Sequence, residues 1–176
     1  MEYIRLHNGV NMPKLGLGTW NLRGKECEEV IKVALECGYR LIDTAHMYDN
    51  EKEIGNVLGK TDIPRSDLFI CTKMHSSFNS YDKAKIAIEE SLKNLQVDYI
   101  DLYLIHEVYS HAKDMYKALE EAYVEGKVKA IGVSNFKKDY FESFVKDVNI
   151  IPMVNQMEAH VYFQQKELHQ TLIKYN

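Results

Sequence analysis

One unit recurs six times along this chain and restricts its fold more than any other feature. A short, nearly all-apolar run gives way to polar residues and then to a stretch with the 3.6-residue periodicity of an amphipathic helix. The apolar runs are Leu15–Trp20, Arg40–Asp43, Leu68–Thr72, Tyr99–Ile105, Val128–Val133 and Met153–Gln156. The first helical stretch runs through Cys27, Val30, Ile31, Ala34 and Leu35 to a stop at Gly38. The others are Glu51–Gly59, Tyr81–Leu95, Lys113–Gly126, Lys138–Asp147 and Gln164–Tyr175. The units repeat roughly every 25 to 30 residues, a length that suits a crossover between parallel strands. Strands apolar on both faces need cover on both faces, so the pattern predicts an α/β fold with a parallel sheet. Ahead of it, Tyr3–Val10 alternates and meets Asn8-Gly9, a dipeptide that tolerates positive φ and predicts a small hairpin.

The chain's 176 residues suffice for one domain with a real core, and no linker or low-complexity tract divides it. A composition of 45% hydrophobic and 27% charged residues is that of a globular chain, and a net charge of -4 offers no basic footprint for nucleic acid. A small-molecule partner is expected instead. Cys27, Cys37 and Cys71 match no zinc or CxxC spacing and read as buried thiols in a reducing cytoplasm. The N-terminus lacks a signal-peptide layout, and no apolar run reaches the ~18 residues needed to cross a bilayer, so no membrane partner is expected.

A doubly wound sheet and a (β/α)8 barrel both satisfy the pattern. Gly16-Leu17-Gly18-Thr19-Trp20-Asn21 lacks the last glycine of a dinucleotide fingerprint and puts bulky Trp20 where backbone would have to approach a pyrophosphate. The barrel is therefore the expected architecture, and in barrels the functional residues lie at the carboxyl ends of the strands. Those ends carry Thr19-Trp20, Asp43 with Tyr48, Lys73, His106, Ser134-Asn135 and Asn155-Gln156.

Four of these residues form a chemical set. A phenol has an ordinary pKa of about 10, so Tyr48 needs a nearby cation to give up its proton, and Lys73 could be that cation with Asp43 holding it. His106, neutral and donating, could orient a carbonyl oxygen toward the phenol. Such a group would polarise a C=O and protonate its oxygen while the carbon accepts a hydride from a cofactor. Blander readings stand beside this one: Asp43 as a strand-end cap, and Ser134-Asn135 as the N-cap of the next helix.

Leu15–Trp20, Leu41-Ile-Asp-Thr-Ala45 with Tyr48, Thr72-Lys73, Asp98–His106, Gly126–Phe136 and Val154-Asn-Gln156 resemble the aldo-keto reductases in order and spacing, over essentially the whole chain. The resemblance implies a TIM-type (β/α)8 barrel and reduction of aldehydes or ketones with NADPH in preference to NADH. Asp43, Tyr48, Lys73 and His106 would form the catalytic tetrad, with Tyr48 as proton donor. Ser134, Asn135 and Gln156 would hold the nicotinamide carboxamide, Thr19 would lie on the nicotinamide side, and Trp20 would wall the substrate pocket beside Tyr48 and His106.

The resemblance also implies eight βα units, of which about six are present, so the expectation is one domain over residues 1–176 that stops within its sixth helix. The family's tyrosine that stacks on nicotinamide and its loop gripping the 2′-phosphate would lie in the remainder. Two unpaired sheet edges then predict self-association, and the competing reading is a catalytically silent fragment or interaction module. No metal site is expected, because His106 and His111 are five apart where one helical face needs four. Tyr81, Tyr103 and Tyr123 read as packing residues, and Glu89-Glu90 and Glu120-Glu121 as solvated helix faces. Glu107, directly after His106, is a further departure that bears on substrate tolerance.

Overall fold

A computed structural model describes residues 1–175. The N-terminal hairpin pairs β1 (Tyr3–Arg5) with β2 (Asn11–Pro13), Arg5 opposite Asn11. Gly9 takes the left-handed φ of +91° that its turn requires. Six parallel strands follow: β3 (Gly16–Gly18), β4 (Leu41–Asp43), β5 (Phe69–Met74), β6 (Leu102–Ile105), β7 (Ile131–Ser134) and β8 (Val154–Gln156). Between and after them come α1 (Gly24–Glu36), α2 (Glu51–Leu58), α3 (Tyr81–Leu95), α4 (Ala112–Val124), α5 (Lys138–Phe144) and α6 (Lys166–Ile173). The sheet order is the chain order, β3 to β8, so every connection is a crossover to the adjacent strand.

The sheet is curled. Strands β4 and β8 stand four places apart, about 19 Å in a flat sheet at ~4.8 Å per strand, yet Gln156 Nε2 donates to Asp43 Oδ2 across 2.8 Å. Only a sheet bent round its own axis brings those side chains together. Six strands in sequential parallel order with helices between them form an incomplete (β/α)8 barrel, as the repeat predicts. β5 and β6 are buried along their whole length, and α1–α4 pack side by side. Gly55 makes one of those contacts possible: a Cβ there would lie 2.2 Å from the Asn94 carbonyl of α3.

Several element ends differ from the sequence expectation for local reasons. Ile100 makes only an isolated bridge to Val128. The Asp101 carboxylate accepts the Ile70 N–H at 2.9 Å and Arg65 Nη2 at 2.6 Å, so the ladder of β6 begins at Leu102 rather than Tyr99. β5 continues past Thr72 to Met74 and contains Lys73 instead of ending before it. Cys37 is exposed, against the reading of three buried thiols; it follows α1 on its solvent side, while Cys27 and Cys71 are buried. Glu120 is not a solvated face residue but is buried, capping the chain at Asn149 and Ile150 by accepting both N–H groups at 2.6 and 2.7 Å. Glu121 accepts from Tyr81 and Lys85, which joins α4 to α3.

Candidate active site

The carboxyl ends of β3, β4, β6, β7 and β8 converge on one cleft of about 500 Å³, lined by Gly18, Asp43, Tyr48, His106, Ser134, Asn135 and Gln156 among others. Asp43 is its hub. The last residue of β4, it accepts Lys73 Nζ on Oδ1 and Gln156 Nε2 on Oδ2. Lys73 Nζ also donates to the Thr44 carbonyl at 2.9 Å. An ammonium has three protons, and the remaining one serves the side where the Tyr48 ring lies, its centroid 5.3 Å away. Tyr48 meets the His106 ring edge-on at 5.6 Å between centroids.

Local sequence explains how Tyr48 is held. After β4 the chain runs through Thr44 and Ala45 into a single 3-10 turn, His46–Tyr48, closed by Asp49 in the left-handed region at φ +51°. Buried Asn50 then pins the loop. Its Oδ1 accepts the Thr44 hydroxyl at 2.6 Å, and its Nδ2 donates to the Thr19 and Leu22 carbonyls at 2.9 and 3.1 Å. Buried Glu51 accepts the Thr72 hydroxyl at 2.7 Å, which ties the same loop to β5. Sequence reasoning read Glu51 only as the start of a helical stretch, with Asn50 just ahead of it. A buried polar side chain must find partners, so two strong polar groups on the inward side of a helix start were the available signal.

The electrostatics match the chemistry of the set. Burial pushes the Tyr48 phenol above its ordinary pKa, with Lys73 pulling it back and Asp43 adding to the rise. The phenol is therefore a proton carrier at neutral pH, not the pre-formed phenolate that a cation alone would favour. For Lys73, burial opposes the charge, but negative charge at Cys71 and Asp43 outweighs it and holds the ammonium above its ordinary value. Burial drives the Cys71 thiol well up, so at neutral pH the charge facing Lys73 is that of Asp43. Burial and then Lys73 push His106 down to about 4, which leaves its imidazole neutral. His106 Nδ1 is buried with no partner among the described residues, so Nε2 is the nitrogen left to reach the cleft.

Ser134 closes β7, and Gln156 closes β8 opposite it. Asn135 follows in the left-handed region at φ +62°, which asparagine tolerates well. The N-cap reading of Ser134-Asn135 does not hold, because α5 begins at Lys138 with Lys137 as the flanking residue. Asp43 is likewise more than a strand cap, since its carboxylate takes two side-chain donors. Three expected residues fall outside the cleft lining, and the first of them, Lys73, is buried against Asp43. Thr19 is fully buried, its hydroxyl donating to the Asp43 carbonyl at 3.0 Å, and so it clamps the strand end. Trp20 is 68% exposed on the loop after β3.

Where β7 and β8 end, the lining presents one hydroxyl donor, Ser134, and two carboxamides, Asn135 and Gln156. Both amide nitrogens are engaged, Asn135 Nδ2 with Glu107 Oε1 at 2.7 Å and Gln156 Nε2 with Asp43, which leaves the carbonyl oxygens for a ligand. A primary carboxamide needs the reverse, one donor for its oxygen and acceptors for its NH₂. The residues present fit a nicotinamide ring.

Known proteins are similar to this chain in sequence and in fold. The family model described as Aldo/keto reductase family matches residues 14–176. The glyoxal reductase of Bacillus subtilis is 46% identical over 169 residues, covering 95% of this chain and 61% of that protein. A crystal structure of an aldo/keto reductase from Brucella melitensis superposes with a TM-score of 0.96 at 38% identity, covering 99% of this chain and 69% of the other. The Bombyx mori aldo-keto reductase in complex with NADP gives a TM-score of 0.90 at 29% identity, covering 99% and 63%. The chain spans about three-fifths of the length of the curated relatives it matches. The chain belongs to the aldo/keto reductase family.

Proposed function

We propose that this chain carries the proton-delivery and nicotinamide-binding side of an NADPH-dependent reductase of aldehydes or ketones. One observation carries the reading: Asp43, Tyr48 and His106 line a single cleft, and buried Lys73 is paired with Asp43 with its ammonium facing the Tyr48 ring. NADPH, when bound, supplies the hydride that the carbonyl carbon accepts. The oxygen then needs a proton, and Tyr48 holds one. His106 Nε2–H donates to that oxygen and sets it toward the phenol. When the O–H bond of Tyr48 breaks, the negative charge left on the ring faces Lys73.

The size of that last effect is telling. A unit charge 5.3 Å from the ring centre attracts a phenolate by about 3 kcal/mol at an effective dielectric of about 20. The ammonium thus offsets much of the penalty that burial places on the phenolate, while Asp43 and the Thr44 carbonyl keep it in position. Ser134, Asn135 and Gln156 hold the carboxamide.

The small-aldehyde class is supported by the glyoxal reductase relative, and the phosphorylated cofactor by the neighbour in complex with NADP. The preference for NADPH over NADH rests on the family resemblance. A reducing cytoplasm suits both the cofactor and the three free cysteines, and no helix among the described residues is long and apolar enough to cross a membrane.

Tyr48→Phe tests the role of the phenol. NADPH oxidation with a panel of small aldehydes, followed by absorbance, should slow by about 10²–10⁴-fold, the usual share of a positioned acid, while NADPH affinity stays within about twofold. Turnover equal to the wild type would remove Tyr48 as the acid.

A further inference from the structure

Glu107 has no part in the proton-delivery set, is exposed, and lies outside the lining of the cleft. Its carboxylate nevertheless accepts Asn135 Nδ2 at 2.7 Å, by far the shortest contact of that nitrogen. The other two are the Ser134 hydroxyl at 3.3 Å and the His106 carbonyl at 3.5 Å. All three partners offer oxygen. An ionised carboxylate can only accept, so it admits one orientation of the Asn135 amide, nitrogen outward and carbonyl oxygen toward the cleft. Asp43 imposes the same orientation on Gln156 from the opposite strand.

We propose that Glu107 is a positioning residue that locks the Asn135 amide with its oxygen facing the site, so that the cleft selects a ligand bearing an N–H donor there. Without it, the amide of Asn135 could turn over and present its NH₂ to the ligand's own NH₂. The backbone at Asn135 is already fixed in the left-handed region by the turn out of β7 and by its N–H donating to the Gln156 carbonyl at 2.9 Å. The remaining freedom is the rotation of the amide itself, and Glu107 removes it. The ligand side of this proposal rests on the nicotinamide reading above; the hold on Asn135 does not.

The test compares Glu107→Ala with Glu107→Gln. Both remove the same charge, but only Gln keeps an oxygen able to accept from Asn135, and the exposed position favours folding of both. In ¹⁵N-edited side-chain amide spectra, with Asn135→Ala to identify the signal, the Asn135 NH₂ should be shifted and protected from exchange in the wild type and in E107Q, and neither in E107A. In calorimetric titrations the wild type and E107Q should prefer NADP⁺ to its 3-acetylpyridine analogue, which lacks the NH₂. That preference should fall about tenfold in E107A, as loss of one good hydrogen bond implies. An Asn135 signal unchanged in E107A would overturn the proposal whatever the titrations show. A changed signal with an unchanged cofactor preference would overturn its ligand half. Failure of the wild type to bind either dinucleotide would refute the nicotinamide reading and the selectivity with it, and the amide spectra alone would then decide the hold on Asn135.

Discussion

Removing the charge of Asp43 should damage the protein more than removing its partner Lys73, because the pair is unequally buried. The Lys73 side chain is 1% exposed and that of Asp43 is 17% exposed. In Asp43→Asn the ammonium stays in the interior with the Thr44 carbonyl as its main oxygen partner. Breaking a buried pair by removing one charge costs about 3–5 kcal/mol, and the kept shape of the side chain puts D43N near 3. In Lys73→Met the orphaned carboxylate still has Gln156 and some access to water, and methionine fills most of the volume, so about 1–2 kcal/mol is expected. The double variant should also cost about 1–2 kcal/mol, a coupling of about 3 kcal/mol between the two positions.

Alkaline pH supplies a second signature. The folded pKa of Lys73 lies above its ordinary value. The wild-type contribution is therefore fully present below about 10.4 and is lost as pH rises past it. In D43N, burial is no longer opposed by the carboxylate, the folded pKa falls below the unfolded one, and the variant should gain stability as pH rises. The gap between wild type and D43N should narrow toward pH 10. Urea unfolding of the four proteins at neutral and alkaline pH measures both effects. Losses that add to within about 0.5 kcal/mol, or a gap that widens with pH, would refute the buried-pair account.

His106 should titrate far below an ordinary histidine, near about 4, in a histidine-edited NMR titration. Because its folded pKa is depressed, the unfolded chain binds more protons between about 6.5 and 4. This residue's share of stability, up to about 3 kcal/mol, should be lost as pH falls through that window. An unshifted value would mean that the ring is open to solvent. Gly55→Ala should destabilise the chain by about 1–3 kcal/mol in urea unfolding although alanine is the better helix former, because the added Cβ meets the backbone carbonyl of Asn94 at 2.2 Å; a gain in stability would show that α2 and α3 are less closely packed than described.

The architecture was legible because it is periodic. Alternating strand and helix patterns every few tens of residues leave few topologies, and the strand ends carry the residues of the proposed proton-delivery set. Side-chain geometry that spans long stretches of chain was not legible. Gln156 and Asp43 are 113 residues apart, and only the curl of the sheet joins them. Lys73 lies inside β5 because its charge is satisfied there by β4 and the loop after it, whereas a lysine in an apolar run reads as the end of a strand. Thr19, which the family resemblance sets on the nicotinamide side, turns its hydroxyl to the Asp43 carbonyl of the neighbouring strand. Glu120 looked like surface charge because its partners, the backbone at Asn149 and Ile150, lie in another unit.

The central claim is that this cleft receives a nicotinamide dinucleotide beside the proton-delivery set. Calorimetric titration of NADPH into the 176-residue chain tests it most directly, with circular dichroism on the same sample to establish folding. The account predicts saturable binding with one site per chain and a micromolar Kd, or about -8 kcal/mol, weakened by Ser134→Ala and Gln156→Ala. A folded chain that takes up no NADPH at millimolar concentration would contradict it.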